Sequence, residues 1–161
     1  MFNIKIDYYF KLILIISLIS IIIAYFIEHA LGHQPCNLCL IERIPYVLSV
    51  LLVIINYMIR KNEKIFILLI ILIFIFSFLI SFYHFGIEQN FFNESAVCGV
   101  KNSSDLISKQ EILDQLNEKI ISCKDVTFRI FGLSLTSINM ALSLLIILVS
   151  IKAFLNYEKI R

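Results

Sequence analysis

Charge is scarce in this 161-residue sequence, with Asp, Glu, Lys and Arg together making up 16%, against roughly a quarter in an ordinary soluble domain. Glycine and proline are scarcer still, at four and two, which excludes collagen-like, linker-rich and disordered chains. The glycines stand apart from one another, so neither a dinucleotide-binding fingerprint nor a phosphate-binding loop can be written. A net charge of +2 and a pI near 8.3 lack the dense basic face that nucleic-acid binding needs. What is abundant is apolar side chain: 60% of residues are hydrophobic and the mean hydropathy is +0.90. A small soluble monomer has no interior large enough to hide that much, so the solvent is lipid.

Four runs carry no Asp, Glu, Lys or Arg: Leu12 to Ile27, Ile44 to Ile59, Ile65 to Ile87 and Ile130 to Ile151. A membrane-crossing helix needs about 20 residues at roughly 1.5 Å each. The third and fourth runs reach that length, and the first reaches it from Tyr8 if Lys11 snorkels. The second is short. The sequence therefore predicts an all-α membrane protein, a four-transmembrane-helix bundle in one domain, with spans at about 8–27, 44–59, 65–87 and 130–151. Basic residues are dense in 1–11, 60–64 and 152–161, which hold 8 of the 14, and sparse in 28–43 and 88–129, which hold 6 in 58 residues. The positive-inside rule puts both termini on the cytoplasmic side and those two longer loops outside. A cleaved leader ending near Ala30-Leu31-Gly32 is the competing reading of the first run, and would leave three spans.

All four cysteines, Cys36, Cys39, Cys98 and Cys123, fall in the outward loops. That is the oxidising side, where disulfides persist. Two structural staples account for the side and the even count. They do not account for Cys36-Asn37-Leu38-Cys39, whose tiny ring is a poor staple but suits rapid thiol exchange. Zinc is an alternative use of His29, His33, Cys36 and Cys39. It takes all its ligands from 11 residues that include Pro35, and leaves Cys98 and Cys123 unexplained. Leu40 after Cys39 excludes c-type haem.

The short second run draws Cys39, Glu42 and Arg43 toward the headgroups, with Pro45 expected in the first helical turn. Arg43 there favours a Cys39 thiolate and can pair with an electron-rich oxygen, or is an interface anchor paired with Glu42. With no nucleotide motif, a quinone dissolved in the bilayer is the economical electron acceptor. His84, near the outer end of the third span, is placed either to hydrogen-bond a quinone oxygen or simply to reach headgroups. In the long loop, Ser108-Lys109-Gln110-Glu111 is a capping box, followed by Ile112, Leu113, Leu116 and Ile120 at helical spacing. A short amphipathic helix is expected there, lying on the membrane or over the first loop. The run from Asn90 to Val97 suits extended binding to a soluble partner, to which Cys98 and Cys123 would offer a disulfide. Asn56, Asn139 and the hydroxyl residues within the spans read as glue between helices.

Several segments together resemble the disulfide bond formation protein B (DsbB) family over nearly the whole chain. They are Pro35-Cys36-Asn37-Leu38-Cys39-Leu40-Ile41-Glu42-Arg43-Ile44-Pro45-Tyr46, Tyr83-His84-Phe85-Gly86-Ile87-Glu88, the Cys98 and Cys123 pair, and Phe131-Gly132-Leu133-Ser134. The resemblance implies a bacterial inner-membrane bundle with its cysteine loops in the periplasm. It implies bound ubiquinone or menaquinone, and a thiol:quinone oxidoreductase that reoxidises a periplasmic thioredoxin-fold oxidase of the DsbA kind. Carried over by position, Cys98 takes the mixed disulfide and Cys123 resolves it. Cys36 and Cys39 then receive the electrons, with Cys39 and Arg43 at the quinone and His84 nearby. The rivals are a quinone reductase resembling vitamin K epoxide reductase, in which the Cys-x-x-Cys falls late in the chain, and a membrane scaffold with structural disulfides or zinc.

Overall fold

A computed structural model describes residues 4–59, 62–93, 98, 123–124, 129–130 and 132–160. Four long helices dominate it: α1 (Ile4–His29), α2 (Asn37–Ile59), α3 (Glu63–Glu88) and α4 (Leu135–Ile160). All four are long and apolar enough to cross a membrane, and at about 1.5 Å per residue their 23 to 26 residues exceed a core of roughly 30 Å. Large apolar side chains such as Ile22, Leu51, Phe76 and Leu148 point outward from every helix, as lipid-facing surfaces require.

Each helix packs on its neighbour in sequence, and α1 closes the ring against α4, its sparsest contact. Lipid supplies no hydrophobic drive between helices, so small hydroxyl residues mark the seams. Ser17 and Ser49 meet at 2.8 Å between α1 and α2, and Ser77 and Ser143 at 3.0 Å between α3 and α4. Ile13, Val53, Ile70, Phe74 and Ile146 fill the centre.

The starts of α2 and α4 differ from the apolar runs in ways that bear on the site. The second run begins at Ile44, yet α2 begins at Asn37, and Pro45 lies inside the helix rather than in its first turn. Cys36 starts it early: its sulfur accepts the Cys39 backbone N–H at 3.3 Å, as an N-cap does. Hydropathy marks where lipid begins; capping marks where the helix begins. The fourth run starts at Ile130, but Arg129–Ile130 and Leu133–Ser134 form a two-stranded antiparallel hairpin, β1 and β2, before α4. Gly132 turns it at φ +82°. Ser134 then caps α4, its hydroxyl accepting the Ser137 N–H at 3.2 Å. The amphipathic helix expected after Ser108 lies outside the described residues.

Candidate functional site: a buried thiol, histidine and carboxylate cluster beside an apolar cavity

The early start of α2 decides where the chemistry lies. On a helix, Cys39, Glu42 and Tyr46 fall three and four residues apart and share one face. Glu42 and Tyr46 are buried on it, followed by Ser49, Val53 and Asn56. On α3, Ser77, Ser81, His84 and Glu88 repeat at the same spacing, and on α4 so do Thr136, Asn139 and Ser143. At the Cys36 end of the bundle these three stripes converge.

His84 is 2% exposed, so it does not reach headgroups. Its Nε2 lies 3.6 Å from Cys36 Sγ, and its Nδ1 is 2.9 Å from Glu42 Oε1. Asn139 Nδ2 donates to Glu42 Oε2 at 2.9 Å and to Ser81 Oγ at 2.7 Å, while the Tyr46 hydroxyl donates to Asn139 Oδ1. Thr136 Oγ1 lies 3.4 Å from His84 Nδ1 and donates to Glu88. Both oxygens of the buried Glu42 carboxyl are therefore held, which is the condition for keeping such a group in an apolar interior.

Cys36 and Cys39 are free, with their sulfurs 2.9 Å apart. Hydrogen bonding from Cys39 does most to hold the Cys36 thiol well below its ordinary value, at about 4, and the His84 ring adds to it against the opposing effect of burial. Of the pair, Cys36 is the sulfur whose ionisation its surroundings favour. The second pair, Cys98 and Cys123, is joined in a disulfide with Cα atoms 5.7 Å apart. It is buried in one apolar cluster with Cys36, Leu38 and Ile87, so all four cysteines gather at one end of the bundle.

Arg43 does not pair with Glu42. Its guanidinium is bonded to Glu28 of α1 and sits 5.4 Å from the Tyr25 ring centroid. Next to it is a half-open cavity of about 400 Å³ lined by α1, α2, α4 and the α1–α2 loop. Cys39, Arg43 and His33 line it, among side chains such as Ile19, Ile23 and Leu142. His84 is not part of that wall; it stands behind it, on the Cys36 side. His29, named with His33 in the sequence as a possible zinc ligand, instead bonds the Tyr25 carbonyl at 3.2 Å.

Sequence reasoning missed Glu42 as the partner of His84; its reading of Asn139 as inter-helix glue holds, since Asn139 joins α4 to α2 and α3, but did not foresee that Glu42 is what it holds. The available signal was spacing. Tyr46 lies four residues after Glu42, and Asn139 three after Thr136, each pair on one helical face.

The sequence is matched over residues 7–153 by the family of disulfide bond formation protein DsbB. It is 31% identical over 135 residues to an uncharacterized protein of Rickettsia prowazekii (strain Madrid E), an alignment covering 83% of this chain and 78% of that one. No solved structure matches. With the family model covering most of the chain, and four cysteines gathered at one end of a four-helix bundle, the protein belongs to the DsbB family and is a multi-pass membrane oxidoreductase of disulfide bond formation.

Proposed function

We propose that this protein reoxidises the dithiol of a periplasmic thioredoxin-fold oxidase of the DsbA kind and delivers the electrons to a quinone in the bacterial inner membrane. The observation that carries this reading is the cavity. It places Cys39 and Arg43 in the wall of an apolar chamber of about 400 Å³, within the usual range for small-molecule sites of roughly 300–1,000 Å³. The wall fits a quinone: Ile19, Ile23, Ile138 and Leu142 suit a hydrocarbon ring and tail. Arg43 has N–H donors beyond the one given to Glu28, and these suit carbonyl oxygens.

The thiol chemistry runs in two exchanges. A thiolate of the partner attacks the Cys98–Cys123 disulfide at Cys98, and the partner's second thiol releases it; resolution by Cys123, the role the resemblance implied, would only restore the starting disulfide and return the partner reduced. The partner leaves oxidised, and Cys98 and Cys123 become a dithiol. That dithiol in turn reduces a Cys36–Cys39 disulfide through an interloop intermediate, regenerating Cys98–Cys123. The gathering of both pairs at one apolar cluster, with Cys39 at its edge, supports the short transfer. Two electrons and two protons must then leave Cys36 and Cys39 as their disulfide re-forms; a quinone held beside Cys39 and Arg43 would supply a lipid-soluble acceptor for both. His84, hydrogen-bonded to Glu42 and beside Cys36, is placed to hold or pass a thiol proton.

The test is direct. Purified protein in detergent is mixed with a reduced thioredoxin-fold oxidase and a short-chain quinone, and quinone absorbance is followed. Loss of absorbance that disappears in Cys39→Ala is expected, together with a raised quinone KM in Arg43→Ala. Undiminished turnover in Cys39→Ala, or no quinone reduction by the wild type, overturns the reading.

A further inference from the structure

The buried cluster has donors of a second kind of chemistry. Cys36 Sγ, Cys39 Sγ and a ring nitrogen of His84 all lie within 4.8 Å of one another. Two thiolates and an imidazole are the preferred ligands of zinc. With Zn–S near 2.3 Å and Zn–N near 2.05 Å, a tetrahedral ion sets ligand separations of about 3.8 Å between sulfurs and about 3.5 Å between sulfur and nitrogen. The Cys36 to His84 distance of 3.6 Å already has that value. The two sulfurs, at 2.9 Å, must part by about 0.9 Å. Cys39 can supply this, since it is only partly buried and faces the cavity.

An independent feature points the same way. Metal-bound histidines almost always give their other ring N–H to a carboxylate, a backbone carbonyl or water, which fixes the tautomer and turns the free lone pair toward the ion. His84 has this arrangement: Nδ1 faces Glu42 Oε1 at 2.9 Å, leaving Nε2 toward Cys36. Glu42 is itself oriented by Asn139. Zn²⁺, two thiolates and a neutral imidazole sum to zero, and the Glu42 carboxylate beyond them has both oxygens hydrogen-bonded, by His84 and Asn139.

We propose that the reduced protein binds one zinc ion through Cys36, Cys39 and His84, with Glu42 as the orienting carboxylate and a fourth position open to the cavity. Binding releases the proton still held by the thiol pair and any proton on His84, and leaves both sulfurs reduced. The site exists only in the dithiol state, because a Cys36–Cys39 disulfide has no thiolates to give. Zinc therefore arrests the redox cycle reversibly, by holding the pair reduced and closing it to exchange. This site differs from the His29–His33–Cys36–Cys39 set that the sequence alone suggests.

The full-length protein in detergent is reduced with a non-chelating phosphine, and zinc is titrated against a chromophoric chelator. Thiol alkylation and mass spectrometry then follow each cysteine. One ion per chain is expected, with Cys36 and Cys39 protected from alkylation while Cys98 and Cys123 react. No uptake is expected once Cys36 and Cys39 are oxidised. Glu42→Ala should weaken binding about 10- to 100-fold, and His84→Ala at least as much. Failure of the reduced wild type to take zinc from the chelator overturns the proposal, as does protection of Cys98 and Cys123 instead, or affinity unchanged in a folded His84→Ala variant. No quinone or partner protein enters this assay, so its result is separate from that of the electron-transfer test.

Discussion

Replacing His84 with Gln tests whether the histidine sets the reactivity of the Cys36 sulfur. The ring stands 3.6 Å from Cys36 Sγ and bonds Glu42 on its other side. Glutamine keeps an amide available to Glu42 but carries no positive charge. Hydrogen bonds to charged groups contribute about 1.5–3 kcal/mol, and a pKa unit corresponds to about 1.36 kcal/mol. Losing this one should therefore raise the Cys36 pKa by about 1–2 units from about 4. The bond from Cys39 is unchanged, so the shift stops short of the ordinary thiol value of about 8.5. Only the thiolate is alkylated. The assay is the pH dependence of Cys36 alkylation in reduced protein, followed by mass spectrometry so that each cysteine is scored separately. Restricted access slows the reaction at every pH and leaves the midpoint in place. A midpoint identical in wild type and variant would refute the argument, as would a wild-type midpoint near 8.5.

Four further outcomes follow from the geometry. In the reduced protein, Cys36 has a depressed folded-state pKa, so its contribution is full above the unfolded value of about 8.5 and is lost as pH falls through about 4. Melting temperature should rise with pH across that interval in reduced but not oxidised protein, and equal slopes contradict it. Asn139→Leu strips hydrogen bonds from Glu42, Ser81 and Tyr46 and should cost about 1–3 kcal/mol of thermal stability; a melting curve like the wild type's argues against the network. Gly86→Ala puts a methyl 2.1 Å from the Phe92 ring, which stacks on Tyr83. The destabilisation should be relieved in the Gly86→Ala, Phe92→Ala double variant, and an unrelieved loss places the strain elsewhere. Glu28→Gln frees the Arg43 guanidinium at the cavity and should change quinone KM more than kcat; a pure kcat effect contradicts that role.

The membrane architecture was legible because lipid burial is written directly in composition. The four uncharged runs became four helices, and the scarcity of helix breakers inside them explains their regularity. Helix beginnings were harder. Cys36 and Ser134 act through single side-chain caps, and hydropathy does not register a sulfur accepting an N–H. The site was legible in its chemistry and incomplete in its pairings. Cys-x-x-Cys and Arg43 could be named from spacing and charge, but adjacency in sequence suggested Glu42 beside Arg43. The helix separates them: Glu42 turns inward to His84 and Arg43 outward to Glu28. Consecutive residues on a helix point about 100° apart, so chain neighbours there make poor partners. His84 and Asn139 come from other helices, and only the packed bundle brings them to Glu42.

The capping of α2 by Cys36 ties secondary structure to electrochemistry. An N-cap is worth about 1 kcal/mol, and for a two-electron couple 1.4 kcal/mol corresponds to about 30 mV. To the extent that the cap is stronger for a thiolate than for a disulfide sulfur, up to about 20 mV of the pair's reduction potential resides in one backbone N–H, that of Cys39. Oxidation of the pair should loosen the first turn of α2, and amide hydrogen exchange at Cys39 then becomes a readout of the electron count at the site.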